Sequence, residues 1–188
     1  MKNNKDFFEK TYMAISNEQA DLLIHLKKKI LLNDAVQDRI TIQQTYPMNL
    51  RYELVSDDDD EFSFLWEISQ SSKNALRISL HFQEDDSKIG LFRVDYNSGH
   101  HNPEVAKEDL PDFFKPYVGK WFSNEESHVH YHVDGYRSLA WAVPIGVTDV
   151  QTKAITANDI NSNFVNAIIG FAQMINIETI IMVNPLLI

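Results

Sequence analysis

The sequence predicts an α+β fold: one domain over residues 1–188, with a mainly antiparallel sheet and an N-terminal and a C-terminal helix packed on one face of it. The length suits one domain with a substantial core. Residues 38–96 alternate between apolar and polar side chains, which is typical of half-buried strands. Segments near both ends of the chain instead repeat their apolar residues at helical spacing.

The first predicted helix begins at Ser16 and continues to about residue 30. Ser16 and Gln19 have the capping-box spacing, in which side chains satisfy free amide hydrogens of the first turn. The three lysines at 27–29 then fall in the last turn, where positive charge interacts favourably with the helix dipole.

Five strands are predicted between residues 38 and 96, and polar turns join most of them, which favours an antiparallel meander. Their approximate ranges are 39–43, 50–55, 62–68, 76–82 and 89–96. In the last of them Phe92 and Val94 share one face, whereas Arg93 and Asp95 share the other.

The second half of the chain contains a long connection, two further strands and a helix. Residues 97–127 form the connection, whose length favours a functional or mobile loop. Strands are predicted at 128–133 and 139–143, and a helix from 158 or 159 to about 175. The apolar segment 182–188 is expected to dock as an edge strand or against a partner.

The chain carries a net charge of −10, from 27 acidic and 17 basic residues. Nucleic acid repels so acidic a protein unless its basic residues cluster locally. Two partner classes therefore remain open. One is RNA or a nucleotide bound at a local site, and the other is a basic protein bound through the acidic run Asp57, Asp58, Asp59, Asp60 and Glu61.

The absence of cysteine excludes disulfides, thiolate zinc sites and a cysteine nucleophile. A bound metal would therefore need histidine and carboxylate ligands. We expect no membrane span, because no run of about 18 apolar residues occurs. The N-terminus lacks the features of a signal peptide, so a cytoplasmic location is expected.

Five of the seven histidines fall within residues 100–132: His100, His101, His128, His130 and His132. On a strand, the last three would project from one face. The outer two would lie about 13 Å apart, at roughly 3.3 Å of rise per residue, so they cannot share one ligand. A third group is expected from His100, His101 or Asp95, which precede the long loop.

This set of residues supports two chemistries. His128 and His130, with His101 and a carboxylate, could bind a divalent metal such as zinc, iron or manganese. Alternatively, two histidines act as acid and base while Arg93 stabilises an anionic transition state, as in a metal-independent ribonuclease or phosphodiesterase. An exposed or structural role for the histidines is a third interpretation. Neither a glycine-rich phosphate loop nor a G-x-S-x-G motif is present.

Five short motifs follow one another along the second half of the chain: Leu-Phe-Arg-Val-Asp-Tyr-Asn at 91–97, His-His-Asn-Pro at 100–103, His-Val-His at 128–130, Asp-Gly-Tyr at 134–136 and Trp-Ala-Val-Pro at 141–144. This order resembles an uncharacterised bacterial and phage family that reads R-x-D, H-x-N-P, H-x-H-x-x-x-E-G-Y and W-A-x-P. The resemblance marks Arg93, Asp95, one of His100 or His101, His128, His130 and Tyr136. His132 departs from that pattern, which has an aromatic residue there.

The order of Arg93, Asp95, Asn97, the two histidines at 100–101, Pro103 and the pair 128–130 is also similar to small toxins of bacterial toxin–antitoxin pairs. That resemblance implies an action on RNA or nucleotides. The leading hypothesis is therefore a mobile-element or phage-associated protein whose histidine-lined site binds or hydrolyses a phosphate-bearing ligand, with catalytic candidates Arg93, Asp95, His100, His101, His128 and His130. The competing hypotheses are an acidic inhibitor of a nucleic-acid-binding protein and a plain interaction domain.

Overall fold

A computed structural model of the chain describes residues 15–186, and most of its regular structure is antiparallel sheet. The strands are β1 (Lys29–Leu32), β2 (Ala35–Gln37), β3 (Arg39–Gln43), β4 (Asn49–Val55), β5 (Phe64–Gln70), β6 (Ile78–Glu84), β7 (Ile89–Tyr96), β8 (His100–His101), β9 (Trp121–Phe122), β10 (His128–Tyr131), β11 (Trp141–Pro144) and β12 (Ile180–Asn184). The helices are α1 (Asn17–His25) and α2 (Ile160–Met174), with short 3-10 helices at Asp112–Tyr117 and Ile145–Val147.

Eight strands form one sheet in the order β11-β10-β7-β6-β5-β4-β1-β2. All neighbouring pairs in this sheet are antiparallel. The predicted meander is present from β4 to β7. The sheet is extended on one side by the hairpin of β1 and β2, which the alternation pattern did not reveal, and on the other by β10 and β11.

Two small sheets lie outside this meander. β3 was predicted as its first strand, but it pairs in parallel with β12 instead. This pairing supports the expectation that the C-terminal apolar segment docks as a strand, as far as residue 184; residues 187 and 188 lie outside the described part. β8 and β9 form the second small sheet, within the long connection.

The helix α1 begins as predicted, because the Ser16 side chain accepts a hydrogen bond from the amide of Gln19 at 3.1 Å. Its predicted end was wrong. The helix stops at His25, so the lysines at 27–29 follow it, and Lys29 already belongs to β1. Neither helix in the described part of the chain has the length and apolarity that a membrane crossing requires.

The core lies on the apolar face of the large sheet. The Phe171 ring of α2 packs on Trp66 of β5 and on Phe92 of β7, with ring centroids 6.3 and 5.5 Å apart. Ala20 and Leu23 of α1 belong to the same hydrophobic cluster. The α+β class with a mainly antiparallel sheet is thus confirmed, and the packing of both helices on one face stays a prediction.

Lys28 is a fully buried lysine at the junction of the two chain ends. Its Nζ donates to the carbonyls of Ile24, Leu26 and Ile175 at 2.9, 2.7 and 3.0 Å. Burial lowers the pKa of Lys28 to about 7. Ile24 lies in the last turn of α1, and Leu26 and Ile175 are the C-cap residues of α1 and α2. The lysine therefore acts as a shared cap that ties the N-terminal helix to the C-terminal one.

Replacing Lys28 by methionine should lower the free energy of unfolding by about 1–3 kcal/mol, because one buried and two partly buried carbonyls lose their donor. Urea denaturation measures this change. The control is Lys27→Met, since the Lys27 side chain is exposed and pairs at the surface with Glu178 at 3.5 Å. Equal stability of the two variants would contradict the capping role.

Candidate functional site

The polar face of the large sheet carries two rows of aligned side chains. In one row, Glu67, His81, Arg93 and His130 are cross-strand partners on β5, β6, β7 and β10. The next row aligns Ser69, Ser79, Asp95 and His128 on the same strands. The sequence alternation that predicted Arg93 and Asp95 on one face thus also places the two histidines beside them.

Asp95 is the centre of this arrangement. Its Oδ1 accepts a hydrogen bond from the Ser79 hydroxyl at 2.6 Å, and its Oδ2 lies 3.0 Å from the Arg93 Nε. The Nε2 atoms of His130 and His128 lie 3.2 and 3.6 Å from the same Oδ2. Burial raises the pKa of this carboxyl, but the positive charge of the adjacent Arg93 guanidinium outweighs burial and holds the pKa well below its usual range. Asp95 is therefore ionised at neutral pH.

The contacts of His130 fix its protonation state. Its Nδ1 lies 2.9 Å from the carbonyl of Leu139, which only accepts, so Nδ1 carries a hydrogen. Its Nε2 lies 2.8 Å from the Arg93 Nη2, which only donates, so Nε2 carries a lone pair. Burial lowers the pKa of His130 to about 4, in agreement with a neutral ring.

His128 is fully buried, yet neither ring nitrogen forms a hydrogen bond within the described residues. Its ring packs against Phe122 at a centroid distance of 4.6 Å and faces the His100 ring at 5.6 Å. Buried polar atoms without partners are rare in folded proteins, because each one costs about 1–3 kcal/mol. The described residues therefore leave the burial of the His128 ring nitrogens uncompensated.

Arg93, Asp95, His128 and His130 form a polar cluster on this face of the sheet. His100, on β8 in the long connection, contacts this cluster. Its ring lies edge-on to His130 at a centroid distance of 4.4 Å. Its Nε2 lies 3.0 Å from the Asn102 Oδ1 and 3.1 Å from the Ala140 carbonyl, two acceptors, so Nε2 carries the hydrogen. Burial lowers the pKa of His100 as well. A neutral ring in this tautomer presents a lone pair on Nδ1.

Asn102 fastens this part of the connection to the sheet. Its amide group is fully buried and forms four hydrogen bonds: it accepts from the Ala142 amide and from His100, and it donates to the carbonyls of Ala142 and Tyr117. The asparagine therefore places His100 against β11 and holds the 3-10 helix Asp112–Tyr117 over the sheet edge.

The other residues that the sequence predicted for the site lie outside the cluster. His101 stacks on Trp121 at 3.9 Å, with Nε2 3.7 Å from Glu104. β10 ends at Tyr131, one residue before His132, whose Nε2 donates to the Ile15 carbonyl at 2.7 Å; the predicted third strand histidine is thus turned away. Tyr136 packs edge-on against Trp141, and its hydroxyl accepts a hydrogen bond from the Lys107 amide.

Sequence reasoning missed Ser79 and Asn102 as members of the site. Ser79 had a usable signal, since it shares the polar face of its strand with His81 and aligns with Asp95. Asn102 lies within the His-His-Asn-Pro motif, but its role depends on contacts with residues 15 and 40 positions away. No local pattern reports such contacts.

Two clefts give solvent access to the cluster, and Arg93 lines both. A cleft of about 480 Å³ is lined mainly by polar residues, among them Arg77, Ser79 and Asp95. A second cleft, of about 560 Å³, is lined by His100, His101 and Arg137 among others. The Arg93 side chain is 30% exposed, whereas His128 and His130 have no exposed surface. A ligand in either cleft therefore meets Arg93 before the buried histidines.

Replacing Asn102 by alanine should lower the free energy of unfolding by about 2–3 kcal/mol, because it leaves the buried amide and carbonyl of Ala142 without partners. Urea denaturation followed by tryptophan fluorescence measures this loss. Asn166→Ala is the control: Asn166 is exposed on α2, and its replacement should change stability by about 0.5 kcal/mol or less. A similar small effect at Asn102 would show that the asparagine does not anchor the connection.

Comparison with known proteins identifies one relationship. No curated protein and no solved structure matches the chain. A model described as a family of unknown function (DUF6978) matches residues 15–177, a range that contains every residue of the cluster. The match covers far more than half of the 188 residues. The chain therefore belongs to DUF6978, a family of unknown function.

Proposed function

We propose that this protein binds a phosphate-bearing ligand at Arg93 and hydrolyses it, with RNA as the substrate. The observation that carries the proposal is the position of Arg93. Its guanidinium lies on the wall of two clefts and is held from below by the Asp95 carboxylate and the His130 Nε2. A planar guanidinium fixed in this way is well suited to bind phosphate oxygens through paired hydrogen bonds.

The distribution of positive charge supports an anionic ligand. The whole chain carries a net charge of −10, but three of its five arginines line the two clefts: Arg77, Arg93 and Arg137. A local group of cations on an acidic protein favours a small phosphate-bearing site over an extended nucleic-acid surface. RNA would therefore engage the clefts through one or two phosphates.

His100 is the best placed general base. Its neutral ring keeps a lone pair on Nδ1, and the ring borders the cleft that Arg93 shares. In the proposed reaction this nitrogen takes a proton from water or from a ribose hydroxyl, whose oxygen then attacks the phosphorus. The bond to the leaving oxygen breaks, and that oxygen takes a proton from solvent. Arg93 stabilises the negative charge on the phosphoryl oxygens.

The burial of His128 and His130 argues against their direct contact with substrate. Both were predicted as acid and base or as metal ligands, and both lie beneath Arg93 with no exposed surface. In the proposed mechanism they act from behind the guanidinium. His130 positions Arg93 through the hydrogen bond at 2.8 Å.

The biological setting proposed here is a phage or another mobile element, acting in the cytoplasm. Its support is the motif order, which resembles a bacterial and phage family, and the weaker similarity to small toxins that act on RNA or nucleotides. Five residues that belong to both resemblances lie in the cluster: Arg93, Asp95, His100, His128 and His130.

The competing proposal is an acidic inhibitor that blocks a basic protein. The specific observation in its favour is the turn between β4 and β5, where Asp57, Asp58, Asp60 and Glu61 are exposed. Asp57 approaches Lys29 at 3.7 Å, so much of the charge of this turn remains available to a partner. The histidine cluster has no part in that function.

The test uses the full chain with two probes, mixed-sequence single-stranded RNA and bis(p-nitrophenyl) phosphate. Arg93→Gln should lower turnover by about 10²-fold or more, since it removes the charge that stabilises the transition state. Arg93→Lys should retain part of the activity, because it keeps the charge and loses the paired geometry. Circular dichroism establishes that each variant is folded.

The matched control neutralises the acidic turn by Asp57→Asn, Asp58→Asn and Asp60→Asn, and it should leave turnover unchanged. A wild-type protein that cleaves neither probe, or an Arg93→Gln variant as active as wild type, would contradict the hydrolase proposal. If the wild type cleaves neither probe but binds a basic protein that the variant with the neutralised turn does not bind, the inhibitor proposal is supported instead.

A further inference from the structure

We propose that Asp95, His128 and His130 together bind one divalent transition-metal ion of the zinc class. Each of these three residues offers one ligand atom, and the three atoms lie within 4.8 Å of one another. Two imidazole nitrogens and one carboxylate oxygen form the donor set that catalytic zinc and non-haem iron or manganese sites use, with coordination positions left for water or substrate.

The arrangement of lone pairs supports a cation at this point. His130 directs an unprotonated Nε2 toward the Asp95 Oδ2, which is 3.2 Å away and carries negative charge. Two electron-pair donors this close repel each other unless a positive charge lies between them. Arg93 supplies that charge, with Nη2 2.8 Å from the nitrogen and Nε 3.0 Å from the oxygen.

His128 provides the second and independent observation. The His128 side chain has no exposed surface, and its Nε2 lies 3.6 Å from the Asp95 Oδ2. Among residues 15–186, no group forms a hydrogen bond with either of its ring nitrogens. Arg93 satisfies His130 and Asp95 but forms no hydrogen bond with His128. A metal ion that coordinates all three residues would satisfy His128 as well, and the burial of an imidazole without partners would then have a cause.

The surroundings of the three ligands match those of known metal sites. The Leu139 carbonyl accepts from the His130 Nδ1 at 2.9 Å, which turns Nε2 toward the centre. The Ser79 hydroxyl donates to the Asp95 Oδ1 at 2.6 Å and leaves Oδ2 free for a cation. Hydrogen bonds of this kind orient metal ligands and raise their affinity for the ion.

Arg93 and the metal ion compete for the same two ligand atoms. When an ion binds, the guanidinium has to withdraw from the His130 Nε2. It can do so because its side chain is 30% exposed and lines both clefts. The proposed hydrolysis uses the metal-free form, in which Asp95 and His130 hold Arg93. The binding of an ion is therefore tested independently of that proposal.

The experiment measures metal binding directly, so that its outcome is independent of any substrate. The full chain is treated with chelator, and isothermal titration calorimetry is run with Zn²⁺, Mn²⁺ and Mg²⁺. Wild type should bind one Zn²⁺ and should not bind Mg²⁺, which prefers oxygen ligands. Asp95→Asn and His128→Gln should each weaken Zn²⁺ binding at least 10-fold. Arg93→Ala should strengthen it, because the competing cation is gone.

Two further variants complete the comparison. His81→Gln is the matched control, since His81 lies on the same face of the sheet beside Arg93 and bonds to Glu67 at 3.0 Å. The affinity of this variant for Zn²⁺ should equal that of wild type. His101→Ala separates this ligand set from the one predicted with His101, and it should also bind as wild type does. If neither wild type nor Arg93→Ala takes up an ion, or if His101→Ala abolishes binding, the proposed site is overturned.

Discussion

The ion pair between Arg93 and Asp95, with the His130 nitrogen beside it, is the interaction on which the polar side of this protein depends. A carboxylate as buried as Asp95 is costly without a compensating charge, and loss of one partner from a buried pair typically costs about 3–5 kcal/mol. Arg93 supplies the charge, and it does so from the edge of two clefts. The ion pair with Arg93 therefore compensates the buried charge of Asp95 and also places the Arg93 guanidinium at the solvent-accessible clefts.

Antiparallel register creates this contact. Asp95 is the cross-strand partner of His128, and Arg93 is the partner of His130, so two short motifs become neighbours across β7 and β10. The long connection then supplies His100, which Asn102 holds against β11 by bonds to both backbone groups of Ala142. The site thus combines a rigid sheet face with one anchored loop, as expected where side chains must keep fixed distances.

Local sequence patterns correctly predicted the features that depend on residues close together in the chain. The Ser16 cap, the alternation that places Arg93 and Asp95 on one face, and the helix α2 all follow from such patterns. The parallel pairing of β3 with β12 and the burial of Lys28 joined residues about 140 positions apart, which no periodicity reveals. The burial of His128 was missed for a related reason: the long connection covers it with Phe122.

The protonation state of His130 decides whether Arg93 can be held as described, because the Arg93 contact requires a lone pair on Nε2. Long-range ¹H–¹⁵N correlation spectra of the chelator-treated full chain at pH 7, assigned with a His130→Gln variant, report which ring nitrogen carries the hydrogen. We predict a neutral ring with its hydrogen on Nδ1, bonded to the Leu139 carbonyl. An imidazolium, or a neutral ring with its hydrogen on Nε2, would contradict the hydrogen bond from Arg93 to His130.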